Sequence, residues 1–246
     1  MDDLTEQEST RIRDAISRHS KWLDERTPDQ AKDIIITLEK INLLDSRESN
    51  HDDINPNIYN KKGFFEIVER DIKLLKRDET NSTHILFIDL DGFKKVNDEI
   101  SHTFGDSLLG AVGEVLDKAG RDTDVPARLR GDEFAYEAVG STADDARQIG
   151  LRLREVFETV SESLIKKETE KNIRTSLSFG VAELGEMPVY EEVIDADGKR
   201  YNRFKETKKI PRSDWYKYTT QQLLDNALAV AEIRMKEDKK DRKMER

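Results

Sequence analysis

The 246-residue sequence contains no cysteine, which excludes disulfides, thiolate zinc sites and cysteine nucleophiles. Histidine is nearly as scarce: His19, His51, His84 and His102 are too few for a His-rich metal centre. No stretch approaches the roughly 18 consecutive apolar residues of a membrane-spanning helix. The acidic opening Met1-Asp2-Asp3-Leu4-Thr5-Glu6 lacks the basic-then-apolar layout of a secretory signal. Positive charge is the minority sign, with 42 Lys and Arg against 52 Asp and Glu and a net charge of −10. That balance argues against a duplex nucleic-acid surface but is compatible with a nucleotide held through Mg2+. What is plentiful is charge of both signs, 38% against 35% hydrophobic residues, so the reading is a sizeable core flanked by long solvated helices. The expectation is a soluble, cytoplasmic protein.

The first 45 residues read as a helical hairpin. Ile12, Ala15, Ile16, His19, Trp22 and Leu23 fall on one face, and Ala31, Ile34, Ile35, Leu38 and Ile41 on a second. Thr27, Pro28 and Gln30 carry the capping pattern that restarts the chain between them. Two such stripes cannot bury each other alone, so the hairpin is either a brace on the next domain or a dimerising or sensory element. Residues 46–60 are polar, hold Pro56, and are expected as a linker. Residues 61–246 form the main domain. Its pattern predicts a helix at 61–77, a buried strand at 84–90, one helix over 92–119 and a strand pair over 125–139. A helix at 142–166, a strand at 173–183 and a final helix at 219–241 follow. Alternation around one sheet gives an α/β (α+β) class. The stretch 186–220 interrupts it as an insertion, with a hairpin expected around Asp197-Gly198.

Two acidic turns stand out. The apolar run His84-Ile85-Leu86-Phe87-Ile88 ends in Asp89-Leu90-Asp91, which puts both carboxylates on one face of a strand end beside Gly92. Further on, Arg130-Gly131-Asp132-Glu133 sits between β-prone arms. Clustered carboxylates repel unless a cation compensates. The two turns therefore suit a hard, oxygen-ligated Mg2+ in phosphoryl chemistry, with solvation of a hairpin tip and capping of the next helix as the rival readings.

Three blocks together resemble the GGDEF family of diguanylate cyclases: Phe87 to Asp98, His102 to Leu109, and Arg128 to Phe134. Ser176-Leu177-Ser178-Phe179-Gly180-Val181-Ala182 is similar to the late strand of that family. The resemblance spans about Asp53 to the last helix, with the insertion set aside. It implies a palm-like fold with a mostly antiparallel central sheet, and condensation of two GTP into cyclic di-GMP by a homodimer using Mg2+ or Mn2+. It makes Asp89, the Leu90 carbonyl, Asp132 and Glu133 the metal-binding set, with Asp132 and Glu133 as the catalytic pair. Gly92, Phe93 and Lys94 correspond to the triphosphate turn, where helix-start amides suit an anion. Asn97 and Asp106 correspond to the guanine contacts, Asp106 favouring GTP because a carboxylate accepts from guanine's N1–H and N2–H2. His102 and Gly131 complete the substrate-binding set, with Lys236 and Lys240 on the phosphates. Arg121 and Asp124, an R-x-x-D pattern with five residues (125–129) between it and Arg130, correspond to the inhibitory product site.

The sequence also departs from the family. Arg130 replaces the first glycine of the signature, Lys240 stands for an Arg, and the opening motif is reduced to Asp53, expected to pair with Arg128. Arg130 is the feature that would favour an idle receptor of cyclic di-GMP or GTP over an active enzyme.

Overall fold

The computed structural model describes residues 50–77, 82–194, 197 and 199–244. The helical hairpin expected over 1–45 lies outside the described residues. A short strand β1 (Tyr59–Asn60) leads into α1 (Lys61–Leu75), β2 (Thr83–Asp91), α2 (Phe93–Glu99) and α3 (His102–Ala119). The pair β3 (Val125–Arg130) and β4 (Glu133–Val139) follows, then α4 (Ala143–Glu168) and β5 (Ser176–Glu183). A ribbon of β6 (Glu186–Ile194) and β7 (Arg200–Lys209), a 3-10 turn (Arg212–Lys217) and α5 (Thr220–Met244) complete the order.

The main sheet runs β1-β3-β4-β2-β5, with β1 parallel to β3 and every other pairing antiparallel. This is the mixed α/β architecture expected, an antiparallel-dominated sheet between two helical layers. Alternation along β2 explains its apolar sequence: Leu86, Ile88 and Leu90 join the core with α3 and α4, while Ile85 and Phe87 join the core with α1 and α5. Covered on both faces, the strand is apolar from Ile85 to Ile88, and its polar side chains stand at its ends: Thr83 and His84 at the start, Asp89 and Asp91 at the finish.

Two expectations need correction. Residues 92–119 form two helices, because Ile100 leaves helical geometry and the Ser101 hydroxyl accepts from the Phe104 N–H at 3.1 Å, starting α3 afresh. Nor is the described part of the expected linker free chain. Asn50 onward belongs to the compact unit, with Asp52, Asn55 and Ile58 buried in it. Asp52 Oδ1 accepts from the N–H groups of Ile54 and Asn55, folding the segment into a turn.

The insertion forms its own two-stranded sheet, and the turn between its strands lies largely outside the described residues. Arg234 of α5 anchors the base of this ribbon through Glu186, at 2.7 and 3.0 Å, and also reaches the Val181 carbonyl at 2.7 Å. Helix α5 lies directly on β5 at Gly180, where any Cβ would meet the Ala231 carbonyl oxygen at 2.1 Å. That close approach carries the end of α5 over the acidic strand ends.

Candidate active site

The acids gather where β2 ends and β4 begins. Asp89 is the cross-strand partner of Glu133 on one side and of Ser178 on the other. The Leu90 N–H donates to the Asp132 carbonyl at 3.1 Å, fixing the signature turn to the end of β2. Gly131 turns the corner in the left-handed region at φ 49°. Its carbonyl accepts from Arg128 Nε at 2.8 Å, and Arg128 Nη1 reaches Asp52 at 3.3 Å. The buried partner of Arg128 is thus Asp52; Asp53, named from sequence, lies 3.6 Å away with its side chain 91% exposed.

Asp89, Asp91 and Glu133 each face a cation, and Asp132 faces none among the described residues. Lys239 Nζ donates to Asp89 Oδ2 and lies 3.0 Å from Asp91 Oδ1. Asp91 also accepts from the Ser178 hydroxyl at 2.6 Å and from Arg242 at 3.3 Å. Arg242 continues to Ser176 Oγ at 2.6 Å, the Leu177 carbonyl at 3.0 Å and Glu158 at 3.3 Å. Arg130 turns back onto Glu133. Partial burial raises the Asp89 carboxyl above its ordinary range; Lys239 opposes this, and Asp132 and Asp91 add to it. Burial works against the charge on Lys239, yet Asp89 and Asp91 hold its pKa above the ordinary value.

Asp132 is the acid left uncompensated among the described residues, and the oxygen donors gathered around it are of the kind that suits Mg2+ or Mn2+. Among the described residues, no three His, Cys, Asp or Glu side chains converge on a point where a metal would sit. Here Glu133 is drawn to Arg130 and Asp89 to Lys239 instead.

Neither lysine expected on the phosphates pairs with the strand-end acids among the described residues. Lys236 pairs with Glu232 on the outer face of α5, and Lys240 is exposed. Lys239 and Arg242 take the inner positions. Their signal is present in the sequence: the buried stripe Ala227, Ala231 and Met235, extended by four, lands on Lys239.

Beside the acids, Gly92 caps α2 at φ 81°, and a Cβ there would meet the Arg174 carbonyl oxygen at 2.9 Å. Phe93 is half-buried and Lys94 exposed. Asn97 points at Gly105 so closely that a Cβ on Gly105 would stand 1.9 Å from Asn97 Oδ1. That oxygen is buried without a hydrogen-bond partner among the described residues. Asp106 and His102 are exposed on the first turns of α3.

At the other end of β3, roughly 20 Å of strand from the signature turn, Arg121 and Asp124 share a tight turn closed by Asp124 N–H to the Arg121 carbonyl at 2.9 Å. They line a cleft of about 760 Å³ together with Arg70, Asp71, Thr83 and Val139.

The chain is thus an α/β domain with an antiparallel-dominated sheet, carboxylates at adjoining strand ends, a glycine-capped helix start and a lysine over the acids. Residues 49–209 match the family described as "Diguanylate cyclase, GGDEF domain", and the chain belongs to that family. It is 31% identical to the uncharacterized protein YhcK of Bacillus subtilis over 136 residues, 54% of this chain and 36% of that one. With the diguanylate cyclase DosC of Escherichia coli it shares 29% over 142 residues, 58% of this chain and 30% of the relative. The chain thus spans about a third of the length of these relatives.

Among solved structures it resembles the diguanylate cyclase SiaD of Pseudomonas aeruginosa, crystallised with its activator SiaC. The TM-score is 0.58 at 18% identity, covering 95% of this chain and 72% of that one. The coiled coil and GGDEF domain of DgcB from Caulobacter crescentus, in complex with c-di-GMP, gives a TM-score of 0.54 at 21% identity, covering 65% and 82%. At such identities the likeness is one of fold. No helix among the described residues is long and apolar enough to cross a membrane.

Proposed function

We propose that the chain is an active diguanylate cyclase that condenses two GTP into cyclic di-GMP, one GTP held by each protomer of a homodimer. Each 3′-oxygen attacks the α-phosphorus of the other nucleotide, and each pyrophosphate leaves. Asp89, the Leu90 carbonyl, Asp132 and Glu133 would hold Mg2+ or Mn2+, which when bound neutralises phosphate charge. Asp132 takes the 3′-hydroxyl proton. Lys239, freed from Asp89 and Asp91, serves the triphosphate with Lys94 and the amides after Gly92. Asn97 and Asp106 read guanine, and Arg121 with Asp124 takes product and restrains turnover.

The observation that carries this reading is the joining of two features on adjacent elements: clustered strand-end acids of which Asp132 has no cation, and an Asn97 oxygen buried with no hydrogen-bond partner among the described residues. A structural end of a sheet needs neither, whereas a purine beside a phosphate chain uses both.

The test is product formation by purified protein stripped of nucleotide and given GTP and Mg2+, resolved by chromatography and mass. Cyclic di-GMP is expected, and Asp132→Ala abolishes it while leaving the circular-dichroism spectrum unchanged. Turnover surviving in Asp132→Ala would sink the assignment. One observation favours a second reading, an idle receptor: the grip of Arg130 on Glu133. Binding of cyclic di-GMP with no product from GTP would establish it.

A further inference from the structure

Asp124 is already engaged within the protein. Its Oδ2 accepts from the Arg121 N–H at 3.0 Å and from the Tyr136 hydroxyl at 2.9 Å, and its Oδ1 accepts from the Val139 N–H at 3.2 Å. A carboxylate offers about four lone-pair sites, two on each oxygen. Oδ2 is therefore filled, and Oδ1 can take one more donor. Guanine presents two donors side by side, N1–H and N2–H2, and needs an acceptor position for each.

The donor that fills Oδ2 is built into the fold. Tyr136 is fully buried in the core with α3 and α4, and only its hydroxyl reaches the edge. Gly120, at the end of α3, leaves the space: a Cβ there would meet the Tyr136 hydroxyl at 1.9 Å. Burial and the neighbouring Asp124 both raise the Tyr136 pKa, so the phenol keeps its proton and remains a donor. Of the three donors on Asp124, two belong to the backbone, and Tyr136 alone can be changed by substitution.

We infer that Tyr136 sets how strongly the Arg121–Asp124 turn takes a guanine base, by competing with the guanine edge for Asp124 Oδ2. This rests on the reading of that turn as a site for cyclic di-GMP. With Tyr136 in place, Asp124 accepts one hydrogen bond from the base, and Arg121, exposed at the rim, supplies the rest of the contact. Without the hydroxyl, Asp124 accepts two. The physical consequence is a site tuned toward weak feedback.

The experiment measures binding of cyclic di-GMP and of cyclic di-IMP, whose base lacks the N2 amine, by calorimetry on the full chain. The wild type is expected to bind the two within about threefold of each other, since one acceptor position serves N1–H in both. Tyr136→Phe is expected to bind cyclic di-GMP roughly tenfold more tightly, as one hydrogen bond to a charged acceptor allows, with cyclic di-IMP little changed. Arg121→Ala is the control for the site and should abolish binding in either background.

If the wild type loses binding on Arg121→Ala, yet Tyr136→Phe leaves the affinity for cyclic di-GMP where it was, the inference falls and the site stands. If no cyclic dinucleotide binds to the wild type or to Tyr136→Phe, the site reading falls and takes the inference with it. Should Tyr136→Phe fail to fold, the wild type decides alone: a preference of tenfold or more for cyclic di-GMP over cyclic di-IMP overturns the inference.

Discussion

The Arg130 guanidinium grips the Glu133 carboxylate with two hydrogen bonds, Nε to Oε2 at 2.6 Å and Nη2 to Oε1 at 3.1 Å. Arg130 occupies the place of a glycine in the signature, and its length lets it fold back onto Glu133. The pair engages both carboxylate oxygens of Glu133, one of the groups proposed above to hold metal.

Arg130→Gly releases Glu133. The expected result is a fall in the Mg2+ concentration for half-maximal product formation, by about threefold to tenfold, the range open to an exposed, screened ion pair with two-pronged geometry. Arg130→Lys, which keeps the charge and loses the fork, should fall between. A magnesium titration of initial rates checks this. Identical titrations for wild type and Arg130→Gly would mean that the grip has no bearing on metal binding.

Glu137 gives the protein a pH dependence unrelated to catalysis. Its side chain is fully buried on β4, facing the layer of α1 and α5, and neither carboxyl oxygen has a hydrogen-bond partner among the described residues. Burial pushes its pKa up to about 8; Asp71 and Asp124 add to this and Arg70 opposes it. Unfolded, the group ionises near 4.5, so between that value and about 8 the folded protein holds the extra proton. Stability therefore decreases as pH rises through that window. Glu137→Leu should remove the slope and raise the melting temperature most at pH 8, read from thermal melts at pH 5, 6.5 and 8. Parallel curves for wild type and variant would refute the account.

The outline of this molecule is legible in the sequence because alternation and apolar runs are local signals. The run from Ile85 to Leu90 could only be a strand covered on both faces, and the strand pair and the ribbon carry their own turns. What escaped depends on distance or on phase. A single hydroxyl, Ser101, broke the expected long helix, a signal hidden inside an otherwise helical stretch. Phase along α5 decides that Lys239, not Lys236, reaches Asp89, which a match to spacing alone does not reveal. Asp52 and Asp53 are adjacent and chemically equal, and only the turn they fold into chooses which is buried. The roles of Arg130, Tyr136 and Arg242 required the third dimension, since each acts on a group from another position of the turn, strand or helix.

The choice between Asp52 and Asp53 is testable as stability. The Arg128 side chain is 14% exposed and that of Asp52 is 7% exposed, and Asp52 also caps its own turn. Asp52→Ala leaves a buried guanidinium without its carboxylate and should cost about 3 kcal/mol. Asp53→Ala, on the solvent side, should cost less than about 0.5 kcal/mol. Urea unfolding of the two variants decides, and equal losses would contradict the assignment.

Gly105 is required by Asn97 instead of by its own helix. It lies inside α3, where alanine is the better helix former by about 1 kcal/mol, so Gly105→Ala carries its own local compensation. The added Cβ would stand 1.9 Å from Asn97 Oδ1 and 3.1 Å from the Phe93 ring, so Asn97 must move. Asn97 and Asp106 are the residues proposed to read guanine, and a displaced amide leaves one edge of the base unrecognised. The expected signature is a KM for GTP raised about tenfold with kcat reduced much less, the cost of one lost hydrogen bond to substrate. The melting temperature should stay within a few degrees of wild type. A variant that loses kcat with KM unchanged would show that Gly105 serves the reaction through some route other than Asn97.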